Sequence, residues 1–289
     1  MINIIFILIS ILSGAFISIF ACGMDEILEL WMYLLISFGM YVACIVIYLL
    51  IIAILSLFVT TKVKYTKANK FYYFMVREAC DFICNFLRVK INIVGKEKLP
   101  KDTKFLVVGN HTSSLDPIFI IGKLKSHTFG AIAKPEVVGI PFIGKIVYRT
   151  FILPIDRENP RNAVGTIMQA GDLIKTDTVS MILYPEGTRN KGDVNTLLPF
   201  KNGGFKIAQK ASCPIVVVKT TNANRVMSRF PLSTKVTLNI VDVIYPDSIA
   251  GLSTNDIGDL VQAKLLGNAI NATSTQPEDA TDANNVLSE

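Results

Sequence analysis

The sequence predicts an α/β fold: a mixed, partly parallel sheet flanked by helices, preceded by an N-terminal apolar two-helix membrane hairpin. Three observations support this prediction. The first 60 residues hold two long runs without charge. From residue 90 onward, short β-branched runs alternate with segments of helical periodicity. Finally, 51% of the 289 residues are hydrophobic and only 18% are charged, which excludes a disordered chain.

The two uncharged runs are expected to form the hairpin over residues 1–60. The run 2–22 is long enough to cross about 30 Å of hydrocarbon at about 1.5 Å per residue, and the run 31–60 is longer still. A cleaved signal peptide or a lipoprotein site at Cys22 is the alternative, but the first run lacks a basic leader. Apolar length does not decide whether the hairpin spans the bilayer or enters one leaflet.

The distribution of charge predicts the orientation of the hairpin. Asp25, Glu26 and Glu29 lie between the two runs, whereas basic residues are concentrated from Lys62 to Arg77, just after the second run. Basic flanks stay in the cytoplasm, so the following domain is expected on the cytoplasmic side of the cell membrane. Residues 61–89 are predicted to form a basic amphipathic linker, helical over 71–89, whose cations face solvent or anionic lipid.

Residues 90–270 are predicted to form the α/β domain. The expected strands are Lys90–Val94, Phe105–Val108, Phe151–Ile155, Val179–Leu183, Ile215–Val218 and Val236–Val243. The expected helices are Pro117–Leu124, Ala163–Lys175 and Gly203–Lys210. Residues 271–289 are polar and acidic, so a disordered tail is expected. Five cysteines without a C-x-x-C pair and only two histidines argue against a disulfide framework and a metal site.

Three polar clusters each follow directly on an expected strand. They are Gly109–Pro117, the pair Asp156 and Arg157, and Tyr184–Arg189. Sites in open α/β sheets assemble at the carboxyl ends of the strands, so these clusters are expected to converge.

His111 and Asp116 in the first cluster are candidates for an acid–base pair. A carboxylate bound to one imidazole nitrogen fixes the tautomer and lets the other nitrogen accept a proton. The alternative is that Asp116 only caps a helix that begins at Pro117. No serine or cysteine nearby lies in a nucleophile elbow, which favours direct attack by a substrate hydroxyl on an activated acyl group.

Arg157 and Arg189 suit a phosphate, because the guanidinium fork matches the phosphate oxygens. The alternative is that each arginine pairs with a neighbouring carboxylate, Asp156 or Glu186.

The motifs, in this order, resemble the glycerophospholipid acyltransferase family over roughly residues 90–220. His111–Asp116 resembles its His-x4-Asp signature, Ile155–Arg157 its second block, and Tyr184–Arg189 its third, where Phe more often precedes the proline. The fourth block, Cys213–Val218, has Val217 where a second proline often stands. Residues 133–136, 140–144 and 200–205 are similar to the family as well.

The resemblance implies acyl transfer from a thioester of acyl-carrier protein or coenzyme A to the 2-hydroxyl of 1-acylglycerol-3-phosphate (lysophosphatidic acid), forming phosphatidic acid. His111 would be the general base and Asp116 its orienting partner. The implied phosphate pocket consists of Lys134, Arg157, Glu186, Gly187, Thr188 and Arg189. No metal or other cofactor is implied, since a thioester is already activated; membrane lipids are expected partners, and nucleic acid is not.

Two alternatives stay open at this stage. A sister acyltransferase would use glycerol-3-phosphate or another lysolipid as acceptor. A non-catalytic, membrane-anchored phosphatidate-binding or scaffold protein would need neither His111 nor Asp116, and the presence of both argues against it.

Overall fold

A computed structural model of the chain describes residues 2–21, 30–156, 159–193 and 196–267. It begins with two apolar helices, α1 (Ile2–Phe16, continued by a wider turn over Ile17–Ala21) and α2 (Leu30–Leu57). The spans Ile2–Phe20 and Trp31–Leu57 are long and apolar enough to cross a membrane. The helices pack together, with the Phe6 ring edge-on to Tyr48 at 6.0 Å. The acidic residues Asp25, Glu26 and Glu29 lie outside the described residues.

Helix α3 (Lys70–Phe86) joins the hairpin to the sheet. The Asn69 side chain accepts hydrogen bonds from the first turn of the helix, and Cys80 and Cys84 are buried free thiols. The prediction of a helix through Val89 is wrong at its end. Arg88 has a left-handed φ of 54°, which ends the helical run, and Val89 already begins the first strand.

Within the described residues, seven strands form one sheet in the order β1-β7-β6-β2-β5-β3-β4. Their bounds are β1 Val89–Val94, β2 Leu106–Gly109, β3 Phe129–Ala133, β4 Ile152–Pro154, β5 Ser180–Leu183, β6 Ile215–Thr221 and β7 Thr234–Ile244. Strands β2 to β6 are parallel to one another, whereas β7 is antiparallel to β6 and parallel to β1. The mixed sheet confirms the predicted fold class.

The remaining helices cover the two faces of the sheet. They are α4 Asp116–Lys123, α5 Pro135–Gly139, α6 Ile143–Arg149, α7 Pro160–Lys175, α8 Lys206–Ala211, α9 Val226–Arg229 and α10 Thr254–Leu266. Alternate residues of the buried strands point to opposite faces: Val108 and Val217 pack with α7, α8 and α10, whereas Val107 and Val216 pack with α3 and α4. The result is three layers, with a helical layer on each side of the sheet.

Strand β3 and helices α5, α6, α9 and α10 were not predicted from the sequence. Strand β3 contains Gly130, which weakens the β pattern. A Cβ there would approach the Phe151 carbonyl oxygen to 2.5 Å, so the glycine allows β3 to lie close to its neighbour β4. Helix α10 begins with a capping box between Ser253 and Asp256, a signal that can be read in the sequence.

Candidate active site

The carboxyl ends of five parallel strands meet at one edge of the sheet, here called the carboxyl edge and defined by the ends of β2 to β6. Strands β2, β5 and β3 are neighbours there. The segment 110–116 follows β2, the segment 184–190 follows β5, and Lys134 follows β3. The first and third polar clusters of the sequence therefore converge, as expected for this kind of sheet.

His111 and Asp116 are in direct contact. Nδ1 of His111 lies 3.0 Å from Oδ2 of Asp116, and the same oxygen accepts the main-chain N–H groups of Thr112 and Ser113 at 2.9 Å. The Asp116 side chain is fully buried, whereas 19% of the His111 side chain is exposed. A carboxylate surrounded by three donors is rigid, so it fixes the orientation of the imidazole and leaves Nε2 for a substrate.

Asp116 does not act as the cap of helix α4. Leu115 occupies the cap position without a side-chain capping bond, and the Asp116 carboxylate accepts from residues that precede the helix. The short loop 111–115 therefore wraps around the carboxylate, with Asp116 as its anchor.

The main chain of His111 is held from both sides by the segment after β5. Its N–H donates to Oε1 of Glu186 at 2.7 Å, and its carbonyl accepts the N–H of Asn190 at 2.7 Å. The other oxygen of Glu186 accepts the N–H of Leu198 at 3.0 Å, and Glu186 is 3% exposed. Both oxygens of this buried carboxylate thus bind main-chain donors, and Glu186 supports the position of His111.

Asn110, the residue before His111, extends the pairing of β2 with β6. Its amide accepts the N–H of Thr220 at 2.7 Å and donates to the Thr220 carbonyl at 3.0 Å. The side chain thereby takes the place of a strand residue, while the main chain turns away from the sheet toward His111.

The ring of Tyr184 stacks on the imidazole of His111, with centroids 4.4 Å apart and an angle of 19° between the planes. Its buried hydroxyl has no hydrogen-bond partner among the described residues. Burial raises the pKa of the Tyr184 hydroxyl well above its usual value, and the charge of Asp116 raises it further. Tyr184 therefore stays neutral and presents an aromatic face to the imidazole, which favours an imidazolium when one forms.

Gly187 closes the turn that begins at Tyr184. Its φ of 68° is left-handed, its N–H donates to the Tyr184 carbonyl, and a Cβ would meet the Lys201 side chain at 3.0 Å. Thr188 and Arg189 follow on the exposed rim, where an Arg189 N–H donates to Oγ of Ser114 at 3.4 Å. The Glu186 carboxylate, the alternative partner of Arg189, is directed instead to the main chain.

The other predicted phosphate ligands lie further along the carboxyl edge. Lys134 is exposed at the start of α5, just after β3. Asp156, after β4, accepts from the Asn159 N–H and from the Asn162 side chain, both at 3.1 Å, and so organises the start of α7. Arg157 lies outside the described residues.

Sequence reasoning did not find the supporting roles of Asn110, Tyr184 and Asn190. Asn110 directly precedes His111 at the end of a buried strand. An asparagine at this position indicates a turn, and this signal is present in the sequence. The contacts of Tyr184 and Asn190 with His111 depend on which strands are neighbours, and strand order is not encoded by spacing along the chain.

Comparisons with known proteins identify relatives of this chain. A family model described as acyltransferase matches residues 90–220, which include the segments 110–116 and 184–190. The 1-acyl-sn-glycerol-3-phosphate acyltransferase of Haemophilus influenzae is 32% identical over 216 residues, covering 65% of this chain and 88% of that protein. The protein of the same name from Saccharomyces cerevisiae is 29% identical over 177 residues, covering 61% of this chain and 57% of that protein.

A solved structure supports the fold. The crystal structure of the 1-acyl-sn-glycerophosphate acyltransferase from Thermotoga maritima matches with a TM-score of 0.56 at 23% identity, covering 72% of this chain and 83% of that one.

Fold and motifs together define the class of protein as an acyltransferase. The chain belongs to the acyltransferase family suggested by its motifs, and the relatives reported above are named 1-acyl-sn-glycerol-3-phosphate acyltransferases.

Proposed function

We propose that the protein transfers an acyl group from a thioester to the 2-hydroxyl of 1-acylglycerol-3-phosphate, with His111 as general base. The observation that carries this proposal is the 3.0 Å contact between Nδ1 of His111 and the buried Asp116 carboxylate. The names of the relatives support the acceptor. The carboxylate selects the tautomer in which Nε2 carries a lone pair, the form that can remove a proton from a hydroxyl.

The reaction needs no covalent enzyme intermediate. Nε2 of His111 takes the proton of the acceptor hydroxyl while its oxygen attacks the thioester carbonyl carbon. The resulting tetrahedral intermediate collapses, the C–S bond breaks, and the imidazolium returns its proton to the departing thiolate. The Asp116 carboxylate and the face of Tyr184 stabilise the imidazolium between these two steps.

The phosphate of the acceptor is held by cations on the carboxyl edge. Arg189 and Lys134 are exposed there, and a charge-assisted guanidinium–phosphate bond contributes about 1.5–3 kcal/mol. We include Arg157 among these cations because it lies in the second motif block, Ile155–Arg157. Gly187 and Thr188 shape the loop that presents Arg189, and Glu186 acts on this pocket indirectly, through the main chain.

The donor is a thioester of acyl-carrier protein or coenzyme A, and its activated carbonyl makes a metal or other cofactor unnecessary. The apolar helices α1 and α2 would hold the site at the membrane where the acceptor resides, on the cytoplasmic side of the cell membrane by the charge rule.

The acyl-transfer proposal is tested with purified full-length protein, lysophosphatidic acid and each donor, with phosphatidic acid measured by mass spectrometry. His111→Ala should abolish turnover, and Asp116→Asn should lower kcat severely, since the matching change in serine-protease triads costs about 10⁴-fold. The matched control is His127→Ala, because His127, the other histidine, contacts the Pro100 carbonyl in the segment between β1 and β2. Near-normal kcat in His111→Ala would refute the general-base role.

The phosphate pocket is tested by comparing two acceptors. Arg189→Ala should lower kcat/KM for lysophosphatidic acid by about ten- to a hundred-fold, and Arg189→Lys should recover part of the loss. Acylation of monoacylglycerol, which lacks the phosphate, should change little. Equal losses on both acceptors would withdraw the phosphate role of Arg189.

A further inference from the structure

A second group of cations surrounds a cavity of about 380 Å³ at the start of β1 and β7. Because β7 is antiparallel to β6, its first residue lies at the same edge of the sheet as the end of β6. Strand β1 is parallel to β7 and pairs Val89 with Thr234. This cavity, here called the β1–β7 pocket, therefore opens at the carboxyl edge that also carries His111, two strands beyond β2.

The pocket is lined by four basic side chains, Lys90, Arg225, Arg229 and Lys235, and by no acidic one. None of the four has an ion-pair partner within the part of the chain that the structure describes. Thr234, which also lines the pocket, is 4% exposed, and its hydroxyl has no hydrogen-bond partner among the described residues. Concentrated positive charge beside an unpaired buried hydroxyl fits a ligand with several anionic oxygens, such as a phosphate group.

Three large apolar side chains of the segment 226–232, here called the rim, alternate along the chain with the lining residues Arg225, Arg229 and Ser233. Met227 and Leu232 are each 64% exposed, and Phe230 is 41% exposed. Large apolar side chains beside unpaired cations are typical of surfaces that meet the headgroup layer of a bilayer.

A row of aromatic rings connects this rim to the hairpin. Phe230 stacks on Phe86 of α3 at 5.7 Å, Phe86 stacks on Phe82 at 6.2 Å, and Phe82 lies 6.3 Å from Phe6 of α1. Phe86 is itself 52% exposed. The rim is thus continuous with the apolar helices that we propose to enter the membrane.

We propose that the β1–β7 pocket binds the phosphate headgroup of an anionic membrane lipid while Met227, Phe230 and Leu232 enter the interface. This inference rests on the proposal that the hairpin inserts into the membrane, and it adds a second contact. Because the pocket opens at the carboxyl edge, this second contact turns that edge, with His111, toward the lipid surface. An acidic soluble protein would be drawn to the same charges, but it would not explain the apolar rim or its continuity with α1.

The test uses full-length protein in vesicles of zwitterionic phosphatidylcholine, with or without about 30 mol% phosphatidylglycerol. Lipids brominated in their acyl chains quench nearby tryptophan. Trp31, the only tryptophan of the chain, reports hairpin insertion in the native protein. A Leu232→Trp substitution in a Trp31→Phe background reports the rim. We expect native Trp31 to be quenched in both vesicle types and the rim reporter to be quenched strongly only with phosphatidylglycerol.

Neutralising the pocket should remove this lipid dependence. Each basic residue near an anionic surface contributes about a five-fold gain in binding, so Arg225→Gln with Arg229→Gln should lower the equilibrium constant for docking of the rim by about 25-fold. The matched control is Lys101→Gln with Lys175→Gln, two exposed cations in segments that precede β2 and β5, at the opposite edge of the sheet.

Three outcomes would overturn the proposal: a rim reporter quenched equally in both vesicle types, one quenched in neither, or an equal effect of the pocket and control variants. Loss of acyl transfer from acyl-carrier protein in the pocket variant, with rim docking unchanged, would assign the cations to an acidic protein instead. Absence of Trp31 quenching in the native protein would contradict insertion of the hairpin. It would not by itself decide whether the rim docks, because the Leu232→Trp variant measures docking of the rim separately.

Discussion

Substitution of Glu186 by Gln separates a supporting role from a substrate-binding role. The carboxylate accepts two main-chain N–H groups, at 2.7 Å from His111 and 3.0 Å from Leu198, and it is 3% exposed. Glutamine offers one acceptor and one donor group, so one N–H must face another donor. Loss of one charge-assisted bond costs about 1.5–3 kcal/mol, and the buried unpaired donor adds about 1–3 kcal/mol.

We therefore expect Glu186→Gln to destabilise the protein by about 3–5 kcal/mol. In a domain of this size, such a loss of stability corresponds to a fall in Tm of roughly 10 °C. A displacement of about 1 Å at His111 lowers kcat by about 10²-fold, whereas KM for the phosphate-bearing acceptor should stay within about two-fold. Differential scanning fluorimetry in detergent and steady-state kinetics with lysophosphatidic acid measure these quantities.

The matched control is Glu136→Gln, which removes an exposed carboxylate of α5 at the same edge of the sheet. It should leave Tm and kcat unchanged. A Glu186→Gln protein with native Tm and a raised KM would show that this carboxylate contacts the substrate, and the supporting role would be refuted.

Three further perturbations test other contacts of the site and its surroundings. Asn110→Ala removes two buried hydrogen bonds to Thr220 and should lower Tm by several degrees, whereas Asn110→Gln, of the same chemistry but one methylene longer, should not restore it. Tyr184→Phe keeps the ring on His111 and should retain most activity, whereas Tyr184→Leu should lower kcat in steady-state kinetics, because the imidazolium loses its aromatic partner. Burial raises the pKa of Asp81, but Lys123 at the end of α4 and Lys125 just after it outweigh burial and hold this pKa below its usual value. The carboxylate therefore stabilises the fold above the unfolded pKa of about 3.9, and the Tm difference between wild type and Asp81→Asn should shrink as the pH falls from 7 to 3.

The sequence was sufficient for the parts of the fold that have strong local patterns. The apolar runs predicted α1 and α2, and six of the strands follow from β-branched runs. Strand β3 was missed because Gly130 interrupts its pattern, and the reason for that glycine is the Phe151 carbonyl just before the neighbouring strand β4. Local patterns cannot show such a contact, since it forms only after the sheet is assembled.

The site shows the same division. His111 and Asp116 are five residues apart, so their contact could be anticipated from spacing. The contacts of Glu186 with His111 and Leu198 could not be anticipated. The sequence does not show whether a carboxylate in a motif binds the substrate or main-chain N–H groups. Whether its oxygens face the substrate or the backbone depends on the path of the chain after β5.

The hydrogen bonds that Glu186 and Asn190 form with the His111 main chain have a consequence for biosynthesis. The helices α1 and α2 leave the ribosome before the sheet does. Glu186, which binds the His111 N–H, lies 75 residues after His111, and Leu198 comes later still. A nascent chain that already contains His111 and Asp116 therefore lacks the groups that set their main chain. Domains fold as units during synthesis, so the site is completed only after the helices α1 and α2 have emerged. A partial chain released before Leu198 should then be unable to carry out the proposed acyl transfer.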